Sequence, residues 1–425
     1  MMIQKPLYSL ALASLACSSC AWAYDTLDDA LKNGISNGDV VLYGSSTSIN
    51  GGAAHAGSDL SNSGYVAGSI GLAYRSGFYK TWRFMISFRA AKALYEADKN
   101  SLWLDDINSP NRAGSTGDAS KDFYSAYRAM LGQSYLEYFD GDTSVRAGRI
   151  FAKSEWADRL IDGIYVRNKS LQNTLIEAFW AKSSGYVQYN KMTGMYEINP
   201  HSGFGLLNAS IQYTFEHLLS LKAYGIFTPS IFSAAGFKAG LKYEVSNSYL
   251  GASANFTTSF EGAHSLVGSA AGNGVVFDAR AFVGVKDFIE TMRNGLEISG
   301  GYIMSGANGI GSLNIIGNNI SPFFMWGGRA FLLGSDASLG LGKINFSIDR
   351  ISLALVYGST RFHNPYSALG RVQGGYDRVN EVNVLLEFGM SEHASLLLNV
   401  LNTHGGKNLY YPHTTAVNLG MKLAF

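Results

Sequence analysis

Alternation with a period of two constrains this chain more than any other feature. In residues 82–89, Trp82, Phe84, Ile86 and Phe88 fall on one face of an extended strand, and Arg83, Met85, Ser87 and Arg89 fall on the other. Val66, Ile70, Leu72, Tyr74 and Phe78 likewise oppose Tyr65, Ser69 and Arg75, and Phe237, Ala239, Leu241 and Tyr243 oppose Lys238, Gly240, Lys242 and Glu244. Phe277, Ala279, Ala281 and Val283 oppose Asp278 and Arg280, while Val382, Val384, Leu386 and Phe388 oppose Glu381, Asn383 and Glu387. The final ten residues set Val417, Leu419, Met421, Leu423 and Phe425 against Asn418, Gly420, Lys422 and Ala424. One such strand would suit the half-buried edge of a soluble sheet. Recurrence with Trp, Tyr and Phe gathered on the apolar side asks for a wall between lipid and water.

Helical membrane spans are excluded beyond residue 23, because the longest apolar stretch, 323–333, is broken by Gly327, Gly328 and Arg329. The 49 glycines, 25 tyrosines and 24 phenylalanines, against 7 prolines and 15% charged residues, are sheet-building proportions. Alternating segments lie near 38–49, 64–78, 81–95, 123–139, 142–151, 161–169, 174–183, 204–215, 218–227 and 236–245. They continue near 248–259, 274–285, 293–303, 323–333, 339–348, 350–361, 379–389, 393–402 and 413–425. These are 19 candidates, and single-chain bacterial barrels have an even number of strands. The expected fold is therefore all-β, a transmembrane antiparallel β-barrel of about 18 strands with 16 as the alternative. Either 142–151 or 323–333 is then misassigned or split by a bulge. A barrel this wide encloses an aqueous lumen.

The amino-terminal segment supports export. Lys5, the apolar run 7–15 and Ala21-Trp22-Ala23 read as a cleaved signal peptide over residues 1–23, leaving 24–425 as a single outer-membrane barrel domain. Acylation at Cys17 or Cys20 would need a branched apolar residue three places upstream, where Ser14 and Cys17 stand. Both cysteines leave with the signal, so the remaining chain has neither a disulfide nor a thiol nucleophile. Losing Lys5 leaves 32 basic and 32 acidic residues, a net charge of zero without a polybasic segment, which argues against nucleic acid as a partner.

Short joints at 78–81, 140–141, 215–217 and 246–247 suit periplasmic turns. The longer stretches 96–122, 184–203, 260–273, 304–322 and 362–378 are expected to face outward, with 101–120 polar enough for a disordered tip. About 14 residues separate Tyr24 from the first strand, too few for a plug domain.

Inward positions carry the candidate function. Arg83, Arg89, Arg149, Lys222, Lys238, Lys242, Arg280 and Lys422 are candidate pore-lining cations, and Asp278, Glu381 and Glu387, with Glu244 and Glu297, are candidate anions. Such rings bias which solutes enter a pore, although interior charges also hydrate and pair across any barrel wall. Arg128, Glu137, Arg146 and Arg149 cannot all point inward without a bulge. The reading is an outer-membrane porin for passive diffusion of small hydrophilic solutes. The alternative is an adhesin or structural barrel acting through outer loops, such as 304–322 with Leu313, Ile315 and Ile316. Enzymatic readings find little: Gly34-Ile35-Ser36-Asn37-Gly38 has nucleophile-elbow spacing without the strand before it or the helix after it. The eight histidines form no pair at metal-ligand spacing, so no catalytic residue, metal or cofactor is expected.

Two segments carry a family resemblance. Asp25-Thr26-Leu27-Asp28-Asp29-Ala30-Leu31-Lys32-Asn33-Gly34 precedes the first strand, and Val145-Arg146-Ala147-Gly148-Arg149 leads through 150–160 to Ile161-Asp162-Gly163-Ile164-Tyr165-Val166. Together they resemble OprD-family outer-membrane porins of the epsilonproteobacterial type, the Campylobacter and Helicobacter relatives that include Hof-like proteins. The resemblance implies that 150–160 is an inward-folded constriction loop, with Lys153, Glu155, Trp156, Asp158 and Arg159 as its candidate functional residues. It also implies amino acids or small carboxylates as cargo and monomers or a loose homotrimer in a Gram-negative outer membrane. Phe425 is similar to the terminal aromatic that barrel-assembly machinery recognises. The stretch 151–159 departs from the richer proline and acidic pattern of the family's constriction loop.

Overall fold

A strand with one apolar face can satisfy its backbone in lipid only beside other strands, and a sheet of such strands has to close to lose its edges. The computed structural model describes residues 23–50, 63–96, 129–265, 273–289, 291–323, 335–364, 375–405 and 413–425. Among them are eighteen long strands: β1 (Ile35–Asn50), β2 (Ser63–Arg75), β3 (Trp82–Glu96), β4 (Ala129–Phe139), β5 (Thr143–Ser154), β6 (Ala157–Asn168), β7 (Thr174–Gly185), β8 (Leu206–Phe215) and β9 (Leu219–Thr228). The remainder are β10 (Phe232–Val245), β11 (Ser248–Glu261), β12 (Val275–Lys286), β13 (Asn294–Ser305), β14 (Ser335–Ile348), β15 (Ile351–Asn364), β16 (Gly375–Gly389), β17 (Ala394–Gly405) and β18 (His413–Ala424). Each pairs antiparallel with the next, and β1 pairs with β18 from Asp39↔Ala424 to Asn50↔His413, so the wall is closed.

Eighteen strands agree with the alternation. Of the two doubtful segments, 142–151 lies in β5, whereas residues 324–334 fall outside the described residues. The signal-peptide reading of 1–23 and the tip reading of 101–120 also fall outside them, apart from Ala23, as does Arg128. Outward positions are large, apolar and exposed, among them Leu42, Phe88, Phe256, Val283, Leu419 and Phe425. An apolar belt of this extent suits contact with lipid acyl chains.

The four joints expected as short turns, 78–81, 140–141, 215–217 and 246–247, all occupy one end of the barrel, together with the 349–350 turn. Lys80, Gly141, Glu216, Ser246 and Asp349 take positive φ there, which lets the chain reverse within a few residues. In the 140–142 turn, the N–H groups of Thr143 (2.7 Å) and Asp142 (3.1 Å) donate to Asp140 and hold its carboxyl below the usual carboxylate range. The helix α1 (Leu27–Lys32), capped by the Thr26 hydroxyl, docks at this end, where Tyr74 Oη donates to the Leu31 carbonyl at 2.5 Å. The seam closes at the same level: Gly38 N–H donates to Phe425 O (2.8 Å), and Phe425 N–H donates to Gly38 O (3.0 Å). A Cβ at Gly38 would stand 2.6 Å from the Phe425 ring, so a glycine is needed for the ring to lie across the seam.

Candidate functional site

The site begins where the β5–β6 hairpin leaves the wall. β4 follows β5 only from Phe139↔Ser144 to Ser134↔Arg149, while β5 and β6 stay paired to Ser154↔Ala157. Beyond Arg149 the two strands turn into the lumen. Gly148 and Gly163, cross-strand partners at the departure point, permit the turn. Gly148 has φ +129°, and a Cβ on Gly163 would lie 1.9 Å from the Trp180 carbonyl oxygen. Backbone groups released from the ladder find side-chain partners. Arg149 Nη1 donates to the Leu131 carbonyl (2.9 Å) and Phe151 N–H donates to Gln133 Oε1 (3.4 Å). Arg149 also grips Asp162 through Nε (2.7 Å) and Nη2 (3.0 Å), and Ser183 Oγ donates to the same carboxylate. The stretch 150–160, expected as an inward-folded constriction loop, is a hairpin with Glu155 and Trp156 as its turn. A paired backbone keeps its own hydrogen bonds as it crosses the lumen.

The tip reaches β9, β10 and β11. Trp156 is 2% exposed, and its Nε1 donates to Thr257 Oγ1 at 3.1 Å. Glu155 takes Lys222 Nζ at 2.9 Å on one oxygen and Lys238 Nζ at 3.4 Å on the other. Lys222 and Lys238 face each other in register on β9 and β10, so the glutamate lies between two cations. A second inward segment holds the tip from above. Asn319 N–H donates to the Glu155 carbonyl (2.9 Å), and Asn319 Nδ2 donates to the Ala157 (2.8 Å) and Ser154 carbonyls.

That second segment corrects an expectation. The stretch 304–322 was expected to face outward, yet Leu313 and Ile316 are buried and, with Ile315, pack in one cluster with Trp156, Tyr224 and Leu339. Burial of these side chains removes the outer apolar surface on which the adhesin alternative drew. The turn at 311–316 is fastened by Glu261, which accepts from Ser259 Oγ (2.8 Å), Ser265 Oγ (2.6 Å), Ser312 N–H (3.0 Å) and Ser312 Oγ (2.7 Å). Gly311, with φ +58°, leaves space for that carboxylate, since a Cβ would come within 2.0 Å of it. Part of 184–203 also turns inward: a hairpin pairing Val187 with Met192 packs on Val41, Tyr43 and Tyr65 of the opposite wall.

Nearer the turn-bearing end, the inward charges gather around carboxylates. Arg89 Nη2 contacts both oxygens of Asp39 (2.7 and 2.8 Å), and Lys422 Nζ stands 3.8 Å from the same group. Arg83 (2.5 Å) and Arg146 (2.9 Å) share Glu137, which is 2% exposed. Lys242 (2.5 Å) and Lys286 (3.4 Å) share Glu244. With Glu155 this makes four carboxylates, each held by two cations. Arg280 pairs singly with Asp278 (2.8 Å) and donates to the Ile320 carbonyl. Glu381 is buried and Glu387 half-buried on β16 at alternate positions of one face. At the hairpin, Lys153 is exposed and Asp158 half-buried, while Arg159 donates to Tyr186 Oη at 2.9 Å.

Sequence reasoning missed Asp39 and Asp162 and left Glu137 and Arg146 undecided. The undecided pair resolves through register: Arg83↔Glu137 and Glu137↔Arg146 put all three on one row, with the conformational irregularity placed at Gly148. Asp39 had a usable signal, since it shares the parity of Val41 and Tyr43, the buried face of β1.

No family model and no curated protein sequence matches this chain. Solved structures do. Pseudomonas aeruginosa OccK1 (OpdK) superposes with a TM-score of 0.66 at 13% identity, covering 93% of this chain and 99% of that one. OccK3 (OpdO) of the same organism gives 0.67 at 10% identity, with 94% and 97% covered. The fold is OprD-like. Acinetobacter baumannii OccAB4 extends the likeness, at a TM-score of 0.66, 12% identity and coverage of 92% and 98%. At such low identity the likeness is one of fold, a closed antiparallel barrel of eighteen strands, and says nothing of the charges inside.

Proposed function

We propose that this protein is an outer-membrane porin for passive diffusion of small hydrophilic solutes, with a preference for carboxylates, amino acids among them. One observation carries the reading. Asp39, Glu137, Glu155 and Glu244 each meet two cations, so a chain that is almost neutral overall places unbalanced positive charge at four points of its inner face. Fixed charge on a narrow wall attracts counter-ions and replaces part of their hydration. A crystal structure of OpdK was determined with vanillate, which agrees with carboxylate cargo for an OprD-like barrel.

The pore-lining set is Arg83, Arg89, Arg149, Lys222, Lys238, Lys242, Asp278, Arg280, Glu381, Glu387 and Lys422, joined at the constriction by Lys153, Glu155, Trp156, Asp158 and Arg159. Residues 24–425 form one domain in this reading, and the epsilonproteobacterial affinity rests on the 25–34 and 145–166 segments. Outer-membrane lipid covers the wall, the assembly machinery engages the strand ending at Phe425, and the barrel acts alone or as a loose homotrimer. Purified protein in planar bilayers tests the function. Stepwise conductance with a reversal potential favouring chloride over potassium is expected, and replacing Arg89 and Lys242 with alanine should shift it toward cations. Absence of stepwise openings would remove the porin reading.

A further inference from the structure

The turn of the inward hairpin presents a carboxylate to a pair of lysines, which is the chemistry expected of the cargo. Glu155 bridges Lys222 and Lys238 with one oxygen each. Without it, two ammonium groups on adjacent strands in direct register would repel each other. The Lys238 side chain is 43% exposed against 13% for Lys222, so the pair is open to the lumen on one side. The hairpin does not depend on Glu155 for its position. Asn319 fixes the backbone on both sides of it, and Trp156 is anchored separately by Thr257. The glutamate side chain can therefore leave the lysines while the tip stays in place.

We infer that Glu155 is a tethered competitor: its carboxylate occupies the Lys222–Lys238 station and a permeating carboxylate takes its place there, so that the hairpin sets how tightly anionic cargo is held. The inference rests on the porin reading and concerns the regulation of that same lumen. A station that bound cargo without competition would retain it, whereas conduction needs binding weak enough for release. An internal carboxylate weakens binding without removing the positive charge that draws the solute in. Because it is attached to the wall, it returns when the solute leaves.

Planar-bilayer recording of the full chain, with propionate as probe and propionamide as its uncharged counterpart, tests this. In wild type, propionate reduces the chloride current with a measurable half-blocking concentration. Glu155→Gln keeps the size of the side chain and should lower that concentration about tenfold, the scale of one charge-assisted contact. Adding Lys222→Met to Glu155→Gln should reverse the gain. Asn319→Ala loosens the tip but leaves the carboxylate, and should not reproduce the Glu155→Gln effect. An unchanged half-blocking concentration in Glu155→Gln overturns the inference, as does an equal change for propionamide or in Asn319→Ala. Anion-selective channels with any of these results leave the porin reading standing. A wild-type protein without stepwise conductance removes both.

Discussion

At the scale of single residues, the inward hairpin depends on two positions that have no side chain. Gly148 and Gly163 lie opposite each other where the strands leave the wall, and the Trp180 carbonyl occupies the space a Cβ on Gly163 would need. Gly163→Ala should destabilise the barrel by roughly 1–3 kcal/mol, through overpacking against a backbone that cannot move aside. Urea unfolding in lipid vesicles measures it, and an unchanged midpoint would show that the strands shift at no cost. These glycines also mark the limit of what could be read from the chain. Alternation is interrupted between Arg146 and Arg149, which stand three apart and so on opposite faces of a regular strand, but such an interruption marks a bulge within the wall as readily as a strand that leaves it. Glu155 was legible as a constriction residue only through a family resemblance, and its two lysines were legible only as inward cations. Their meeting needed the tertiary path of the hairpin.

At the scale of elements, wall strands were the easiest part to read, because lipid outside and water inside impose opposite demands on alternate residues. The inward segments were harder. Leu313, Ile315 and Ile316 look the same in sequence whether they meet a partner outside or a core inside, and the Glu261 cluster that decides the matter joins β11 to the turn at 311–316 across 51 positions of chain. Glu261→Ala leaves three serine hydroxyls and one N–H without their acceptor. It should destabilise this connection by about 2–4 kcal/mol, taken as the loss of several hydrogen bonds to one charged group. Limited proteolysis reads it: new cleavage within 306–323 while the barrel remains intact is expected, and identical digestion patterns would refute the role of Glu261. By contrast, the bond from Asn33 Nδ2 to the Asp29 carbonyl and the Thr26 cap of α1 join residues three or four positions apart, although in the sequence 25–34 carries only a family resemblance.

At the scale of the whole molecule, the closed wall and its apolar exterior depend on the seam between β1 and β18. Leu419 lies midway along β18, exposed on the outer face. Leu419→Lys should cost about 2–4 kcal/mol if that face meets the bilayer core, whereas a lysine at a water-exposed position would cost little. Refolding yield into vesicles with the corresponding urea midpoint distinguishes the two. The four carboxylates that each hold two cations have a further consequence. If the barrel is the porin proposed above, they would make the lumen a fixed-charge anion exchanger one molecule thick, in Donnan equilibrium with the solution on either side. Its preference is a property of that solution as well as of the protein, because the Debye length falls from about 10 Å at 0.1 M salt to about 3 Å at 1 M. Reversal potentials should therefore approach zero selectivity as bulk salt rises, and the same channel would sort solutes in dilute fresh water that it passes indifferently in brine.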